Sequence, residues 1–93
     1  MITVHTEFHS HFREIAATAR DSFELDEPLV AELAERISER YGEKMRAMLI
    51  DPETRELNER GTMFVDTSGR RISMEDSLED GETITFLVGI AGG

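Results

Sequence analysis

Residues 81–93 read GETITFLVGIAGG. Residues 83–90 are rich in residue types of high β-propensity, which predicts a strand. The apolar residues that share one face of it are Ile84, Phe86, Val88 and Ile90. Asp80-Gly81 before it is a strong turn signal, and Gly92-Gly93 follow it. This stretch therefore predicts a strand that continues into a short, flexible tail.

The composition is that of one small, acidic domain. The 93 residues include 20 acidic and 10 basic side chains, which gives a net charge of −10. Because phosphate binding needs a basic surface, we expect no nucleic-acid partner and favour a basic protein partner. Cysteine is absent, so neither disulfides nor thiolate metal sites are available. No targeting segment or apolar run of membrane-spanning length is present, and we expect a soluble, cytoplasmic protein.

The positive charges are unevenly divided. Lys44 is the only lysine beside nine arginines. Many acids with almost no lysine is a balance that we associate with proteins of salt-loving archaea, where high salt screens the repulsion between like charges. The composition thus suggests a halophilic, archaeal source.

One amphipathic helix is the clearest element before the last strand. Asp26-Glu27-Pro28 is an acidic start with proline at the first helical position, and Gly42 supplies the stop. The apolar stripe that we expect to face the core is Leu29, Val30, Leu33, Ala34, Ile37 and Tyr41.

Shorter elements are predicted on both sides of this helix. Residues 1–5 alternate like a half-buried strand, 8–16 have helical spacing that fits a short helical turn or a loop, and 22–25 fit a second strand. Beyond the helix, 44–49 suggest one more helical turn. Turns are indicated at 51–54 and 58–61, within a polar segment at 50–61.

A hairpin is predicted next, with strands at 62–66 and 70–72 around a turn at 67–69. Ser73 with Asp76 indicates a capped turn. One helix across one mixed sheet is an α+β domain.

This order of elements resembles the β-grasp fold of ubiquitin-like proteins. More narrowly, it is similar to small sulfur carriers of the molybdopterin-synthase small-subunit and thiamine-biosynthesis type, and to archaeal small ubiquitin-like modifiers. The segments that carry the resemblance are 1–4, 12–16, 30–33, 78–82 and 90–93. The resemblance implies a ubiquitin-like domain at 1–88 and an exposed diglycine tail at 89–93. The polar segment at 50–61 lies outside it.

The resemblance also implies a chemistry for the tail. A ubiquitin-activating-type enzyme would adenylate the carboxylate of Gly93 with ATP, and Gly92 and Ala91 would thread its active site. The product would be an isopeptide bond to a target lysine, or a thiocarboxylate that supplies sulfur to molybdopterin synthesis or tRNA thiolation. In the molybdopterin case, the acceptor would be the large subunit of the synthase. The chain would then be a protein substrate and not an enzyme, monomeric, without a cofactor, and Lys44 would be the acceptor in self-linked chains.

Other interpretations remain. The chain could be a non-conjugating ubiquitin-like module that binds a partner through its acidic surface alone. His5, His9 and His11 match no metal-binding spacing, and we predict no metal site. Phe64 and Phe86 could contact partners if they face outward, although large apolar residues in strands are more often core.

Overall fold

The computed structural model describes residues 1–58 and 61–88 and shows a four-stranded mixed sheet covered by helices. The strands are β1 (Ile2–Phe8), β2 (Arg20–Leu25), β3 (Thr62–Val65) and β4 (Thr83–Val88). The helices are α1 (Ser10–Ala16), α2 (Val30–Tyr41) and α3 (Glu43–Leu49). The strand order is β2-β1-β4-β3, with β1 parallel to β4 and the two outer pairs antiparallel. The predicted α+β class with a mixed sheet is confirmed.

The core lies between the sheet and the helices because the strands alternate. Val4, Thr6 and Phe8 of β1 are buried, whereas His5 between them is exposed. Four phenylalanines meet in the centre of this core, with ring centroids 5.2 to 5.9 Å apart: Phe8, Phe12, Phe64 and Phe86. Phe64 and Phe86 are only 2% and 3% exposed, so both belong to the core, the alternative that the sequence favoured, and neither is available to a partner.

Helix α2 begins at Val30, two residues after the predicted start at Pro28. Leu29 is still extended, and the free N–H groups of Val30 and Ala31 donate to the carbonyls of Asp76 and Met74. The loop from 73 to 77 therefore caps the helix by its backbone, and the proline lies outside. Gly42, with φ of 93°, ends the helix as predicted.

Two further expectations need correction. Residues 8–16 hold a full seven-residue helix, α1, instead of a single turn or a loop, and it ends at Ala17 in the left-handed region. Residues 70–72 are not a strand: they form one isolated bridge, between Arg71 and Val65, and then leave the sheet. The turn that follows is capped as predicted, because the Ser73 N–H donates to the Asp76 carboxylate.

The polar segment folds back on itself after α3. Ile50 and Leu57 form an antiparallel bridge, and the Asp51 N–H donates to the Glu56 carbonyl at 2.9 Å. Leu57 is buried, which anchors the segment to the core. The turn predicted at 51–54 is therefore present and forms a small lobe beside α3, whereas the turn predicted at 58–61 includes residues outside those that the structure describes.

Candidate functional site

The predicted reactive residues, Ala91, Gly92 and Gly93, lie outside the residues that the structure describes, as does Ile90. What the structure shows is the C-terminal end of strand β4 at Val88, the last described residue, which we call the exit. Strand β4 is an inner strand, paired with β1 on one side and β3 on the other. The last described residues thus belong to the middle of the sheet and not to an edge.

Backbone bonds hold β4 close to this exit. Thr62 of β3 is in register with Val88, and the His9 N–H donates to the Phe86 carbonyl at 3.0 Å. The Thr62 hydroxyl donates in turn to the Asn58 carbonyl. The exit is therefore fixed from both sides, within two residues of the last described position.

The side chains opposite the core form a partly apolar surface beside the exit. We call Met63, Val65, Thr85 and Leu87 the outer patch. Met63 is directly opposite Leu87 in the β3–β4 ladder, and Val65 is opposite Thr85. All four are half-buried, and none belongs to the core cluster. From the sequence, only Phe64 and Phe86 are considered for a partner surface and the core is favoured for both, although the alternation that places Phe86 inward places Leu87 outward.

Polar side chains border the outer patch. Glu7 of β1 is in register with Thr85 on one side and with Arg20 of β2 on the other. His9 Nε2 lies 3.7 Å from a carboxylate oxygen of Glu7. An apolar centre with a charged border is the composition of a protein-binding surface.

A different arrangement joins β2 to α2 at the far edge of the sheet. We call Asp21, Phe23, Arg40 and Tyr41 the polar cluster. Arg40 Nη1 lies 2.9 Å from Asp21 Oδ2, and its guanidinium stacks 4.1 Å from the Phe23 ring centroid. The Tyr41 hydroxyl donates to the same carboxylate.

This pairing shifts both acids. Burial acts to raise the pKa of Asp21, but the hydrogen bonds from Tyr41 and Arg40 outweigh it, so the pKa lies below its ordinary value. Burial and the bond to Asp21 raise the pKa of Tyr41 to about 12. The polar groups of the polar cluster are satisfied by one another, so the cluster stabilises the contact between β2 and α2.

Comparison with known proteins identifies the fold. No family model and no curated protein matches the chain. Among solved structures, a Haloferax volcanii protein, HVO 2177, is 20% identical, with TM-score 0.81 over 99% of this chain and 87% of that one. Small archaeal modifier protein 1 of the same organism is 9% identical, with TM-score 0.80 over 97% and 100%. A candidate molybdopterin converting factor subunit 1 of Pyrococcus furiosus is 22% identical, with TM-score 0.76 over 97% and 100%.

The chain has the β-grasp fold. Near-complete coverage on both sides means that the whole chain matches, and not a fragment of it. The fold predicted from the order of elements is thereby confirmed. The outer patch and the exit at Val88 are consequently features of a β-grasp domain.

Lys44, the predicted acceptor, lies in α3 of the β-grasp domain. Its side chain is exposed, and within residues 1–58 and 61–88 it forms no ion pair. Since α3 packs against α1 and α2 on the helical side of the domain, Lys44 and the outer patch belong to opposite layers.

The three histidines are dispersed over separate partners. His5 Nδ1 is 2.8 Å from the Ser22 hydroxyl, and His11 Nδ1 is 3.0 Å from Glu14. In the part of the chain that the structure describes, no three His, Cys, Asp or Glu side chains are grouped to hold a metal ion. No helix there is long and apolar enough to cross a membrane.

Proposed function

We propose that this chain is a ubiquitin-like protein modifier or sulfur carrier, activated at the carboxylate of Gly93. The observation that carries the proposal is a β-grasp domain whose inner strand β4 leads directly into 89–93, the segment with the diglycine. Two proteins of the same fold are described as a modifier protein and as a candidate molybdopterin converting factor subunit.

The chemistry needs a partner enzyme, because a carboxylate is a poor electrophile. The Gly93 carboxylate attacks the α-phosphate of ATP, pyrophosphate leaves, and an acyl adenylate forms. Attack on the carbonyl by a lysine amine then releases AMP and forms an isopeptide bond. Attack by a sulfide donor releases AMP and gives the thiocarboxylate. The chain supplies the acyl group, and the catalytic groups belong to the adenylating enzyme.

The tail residues suit this role through their small size. Glycine has no Cβ, so Gly92 and Gly93 leave the carboxylate unhindered and fit a narrow channel. Ala91 adds only a methyl group. The inner position of β4 also suits this role. When a partner enzyme binds the tail, hydrogen bonds to both β1 and β3 keep β4 in the sheet.

The outer patch is the surface that we expect the adenylating enzyme to hold. Met63 and Leu87 lie beside the exit, so an enzyme bound there has the tail within reach. Contact on this apolar centre would exclude water, as at the centre of other protein interfaces. In sulfur transfer, the sulfur-accepting enzyme would use the same face.

Intact-mass measurement with ATP and a ubiquitin-activating-type enzyme tests the proposal. We expect a product with the mass of the adenylate, followed by a thiocarboxylate with a sulfide donor or by conjugates with lysine-containing targets. Deletion of Gly92-Gly93 abolishes all of them, whereas Arg13→Gln on the exposed face of α1 changes none. An unmodified wild-type chain beside an enzyme that activates its own substrate contradicts the proposal. Undiminished partner binding after the deletion would then favour the non-conjugating module.

Lys44 is the side-chain acceptor that we propose for self-linked chains. Its amine is exposed on α3, and arginine guanidinium groups do not form isopeptide bonds under these conditions. We expect Lys44→Arg to remove branched self-conjugates while conjugates with other proteins persist. Peptide mapping of the conjugates checks this, and a branch at any other side chain of the chain would refute it.

A further inference from the structure

The polar segment builds a groove that the proposed function does not use. The groove has a volume of about 690 Å³ and lies on the helical side of the domain. Its floor is apolar and comes from three segments of the chain: Ala31 of α2, Met74 of the capping loop, and the continuous stretch that holds Ala47 of α3 with Ile50 and Pro52 of the polar segment. Without the polar segment, the side of this groove beyond α3 would be open.

Backbone hydrogen bonds hold the residues of the floor in place. Met74 is fixed because its carbonyl accepts the Ala31 N–H at 3.2 Å, as part of the cap on α2. Ile50 is fixed by its bridge to Leu57, whose side chain is buried. The apolar surface thus exists in the free domain, and a ligand would not have to create it.

Charged side chains form the rim. Arg46 is already neutralised by two hydrogen bonds to the Glu35 carboxylate, of 2.9 and 3.2 Å. Arg55, in contrast, is exposed and has no carboxylate partner in the described part of the chain. The rim therefore offers one positive charge that no carboxylate of the described residues neutralises.

The backbone holds Arg55 in an unfavourable conformation. Its φ is 62°, in the left-handed region, which costs a non-glycine residue about 1–2 kcal/mol. The turn is maintained because the Arg55 N–H donates to the Asp51 carbonyl at 2.7 Å and the Glu53 N–H donates to the Asp51 carboxylate. Glycine or asparagine would fit this position with less strain, so the turn gains nothing from arginine itself.

The two free ends of the groove have opposite charge. Helix α3 starts at Glu43, and Arg55 is bonded to Asp51, just beyond the end of α3. Seven helical residues span about 10 Å, which is the length of α3 along the groove. An extended peptide covers the same distance in about three residues.

We propose that this groove binds an extended peptide segment of a partner protein, with a basic residue for Glu43, two apolar residues for the floor, and an acidic residue for Arg55. The site lies on the opposite side of the sheet from the outer patch. A partner held here would leave the outer patch and the chain exit accessible. The groove would therefore recruit a partner independently of activation at Gly93.

Titration of the isotope-labelled full chain with Ac-Lys-Leu-Leu-Asp-NH₂ tests the proposal by NMR. We expect saturable shift changes at Ala47, Ile50 and Met74, and none at Met63 or Leu87. Peptides with two serines in place of the leucines, or with two lysines or two aspartates as the charged residues, should bind less tightly. Equal binding of the serine peptide, or shifts on the outer patch instead, would overturn the proposal.

Variants of the chain separate the charge from the floor. Arg55→Gly removes the charge and suits the positive φ, so the fold is kept, and binding should weaken about two- to fivefold, the value of one exposed ion pair. Arg55→Lys should restore it. Ala47→Glu places a carboxylate on the floor and should abolish binding, whereas Arg13→Gln, which removes the same charge from α1, should leave it unchanged. Binding that survives Ala47→Glu contradicts the assignment.

Two controls identify the occupant. Dilution of the chain alone should leave the groove signals unchanged, and a concentration dependence would show that a second copy occupies the groove instead. Deletion of Gly92-Gly93 should not alter peptide binding. Failure of activation at Gly93 and failure of the groove proposal are therefore separate results.

Discussion

The polar cluster and the outer patch differ in what their side chains contact. At the β2–α2 edge, Asp21 accepts bonds from both Tyr41 and Arg40, so the polar groups are satisfied within the chain. Beside the exit, Met63 and Leu87 face each other on the outer surface and contribute little to the core. One region stabilises the domain, and the other keeps an apolar surface available. Substitutions in the two regions should therefore affect different measurements.

The largest effect is expected for Asp21→Ala in the polar cluster. The substitution leaves the Tyr41 hydroxyl and the Arg40 guanidinium without their shared acceptor, which should lower the free energy of unfolding by about 2 kcal/mol. Denaturant unfolding measures this. Glu24→Ala, at an exposed position of the same strand, is the matched control and should change it by less than about 0.5 kcal/mol. Activation at Gly93 should survive at temperatures where the Asp21→Ala variant is folded.

The double substitution of Met63→Thr and Leu87→Thr should have the converse effect. Threonine keeps the β-propensity of both positions but removes the apolar centre of the outer patch. We expect about a tenfold loss of affinity for the adenylating enzyme, with little change in unfolding. Binding measured by calorimetry checks this, with Glu24→Thr on the same face as the control. Unchanged affinity would mean that the enzyme uses another surface.

Tyr41→Phe should have the smallest effect, a loss of about 1 kcal/mol in stability at neutral pH, because one hydrogen bond to Asp21 is removed. The wild-type pKa of Tyr41, raised to about 12, gives a second measurement. This stabilising contribution is complete below pH 10, the ordinary pKa of tyrosine, and is lost as the pH rises toward 12. Because Tyr41 is the only tyrosine and tryptophan is absent, ultraviolet absorption reports its titration directly. A titration midpoint of Tyr41 near pH 10 in the folded chain would contradict its hydrogen bond to Asp21.

Low pH should also weaken the polar cluster, because Asp21 becomes protonated. The pKa of Asp21 lies below its ordinary value of 3.8, so its contribution is present above that pH and is lost as the pH falls below it. Wild-type stability should thus depend more steeply on pH in this range than that of the Asp21→Ala variant, as denaturant unfolding at a series of pH values would show.

Local patterns predicted much of this structure. The seam of α2, the stop at Gly42 and the alternation of β4 are properties of neighbouring residues, and all three are present. The errors arise where the structure of a segment depends on residues far away in the sequence. The start of α2 depends on carbonyls from Met74 and Asp76, and residues 70–72 leave the sheet on the way to that loop.

The candidate site also combines features that local patterns predict with features that depend on distant segments. Periodicity was enough to place Leu87 outward, but the partnership of Met63 with Leu87 needs the strand register. The groove depends on three separated segments, and no local pattern indicates it. The roles of Ala91, Gly92 and Gly93 stay predictions from the resemblance, because these residues lie outside the described part of the chain.

The parallel pairing of β1 with β4 has a consequence for biosynthesis. His5 is in register with Thr83, so the centre of the sheet joins the earliest strand to the latest one. A nascent chain that has not yet released residues 83–88 from the ribosome lacks an inner strand, and β3 then has no neighbour that connects it to β1. We expect the domain to fold only after β4 has emerged. Incomplete translation products would then remain unfolded and open to proteolysis, and would not compete with finished chains for the activating enzyme.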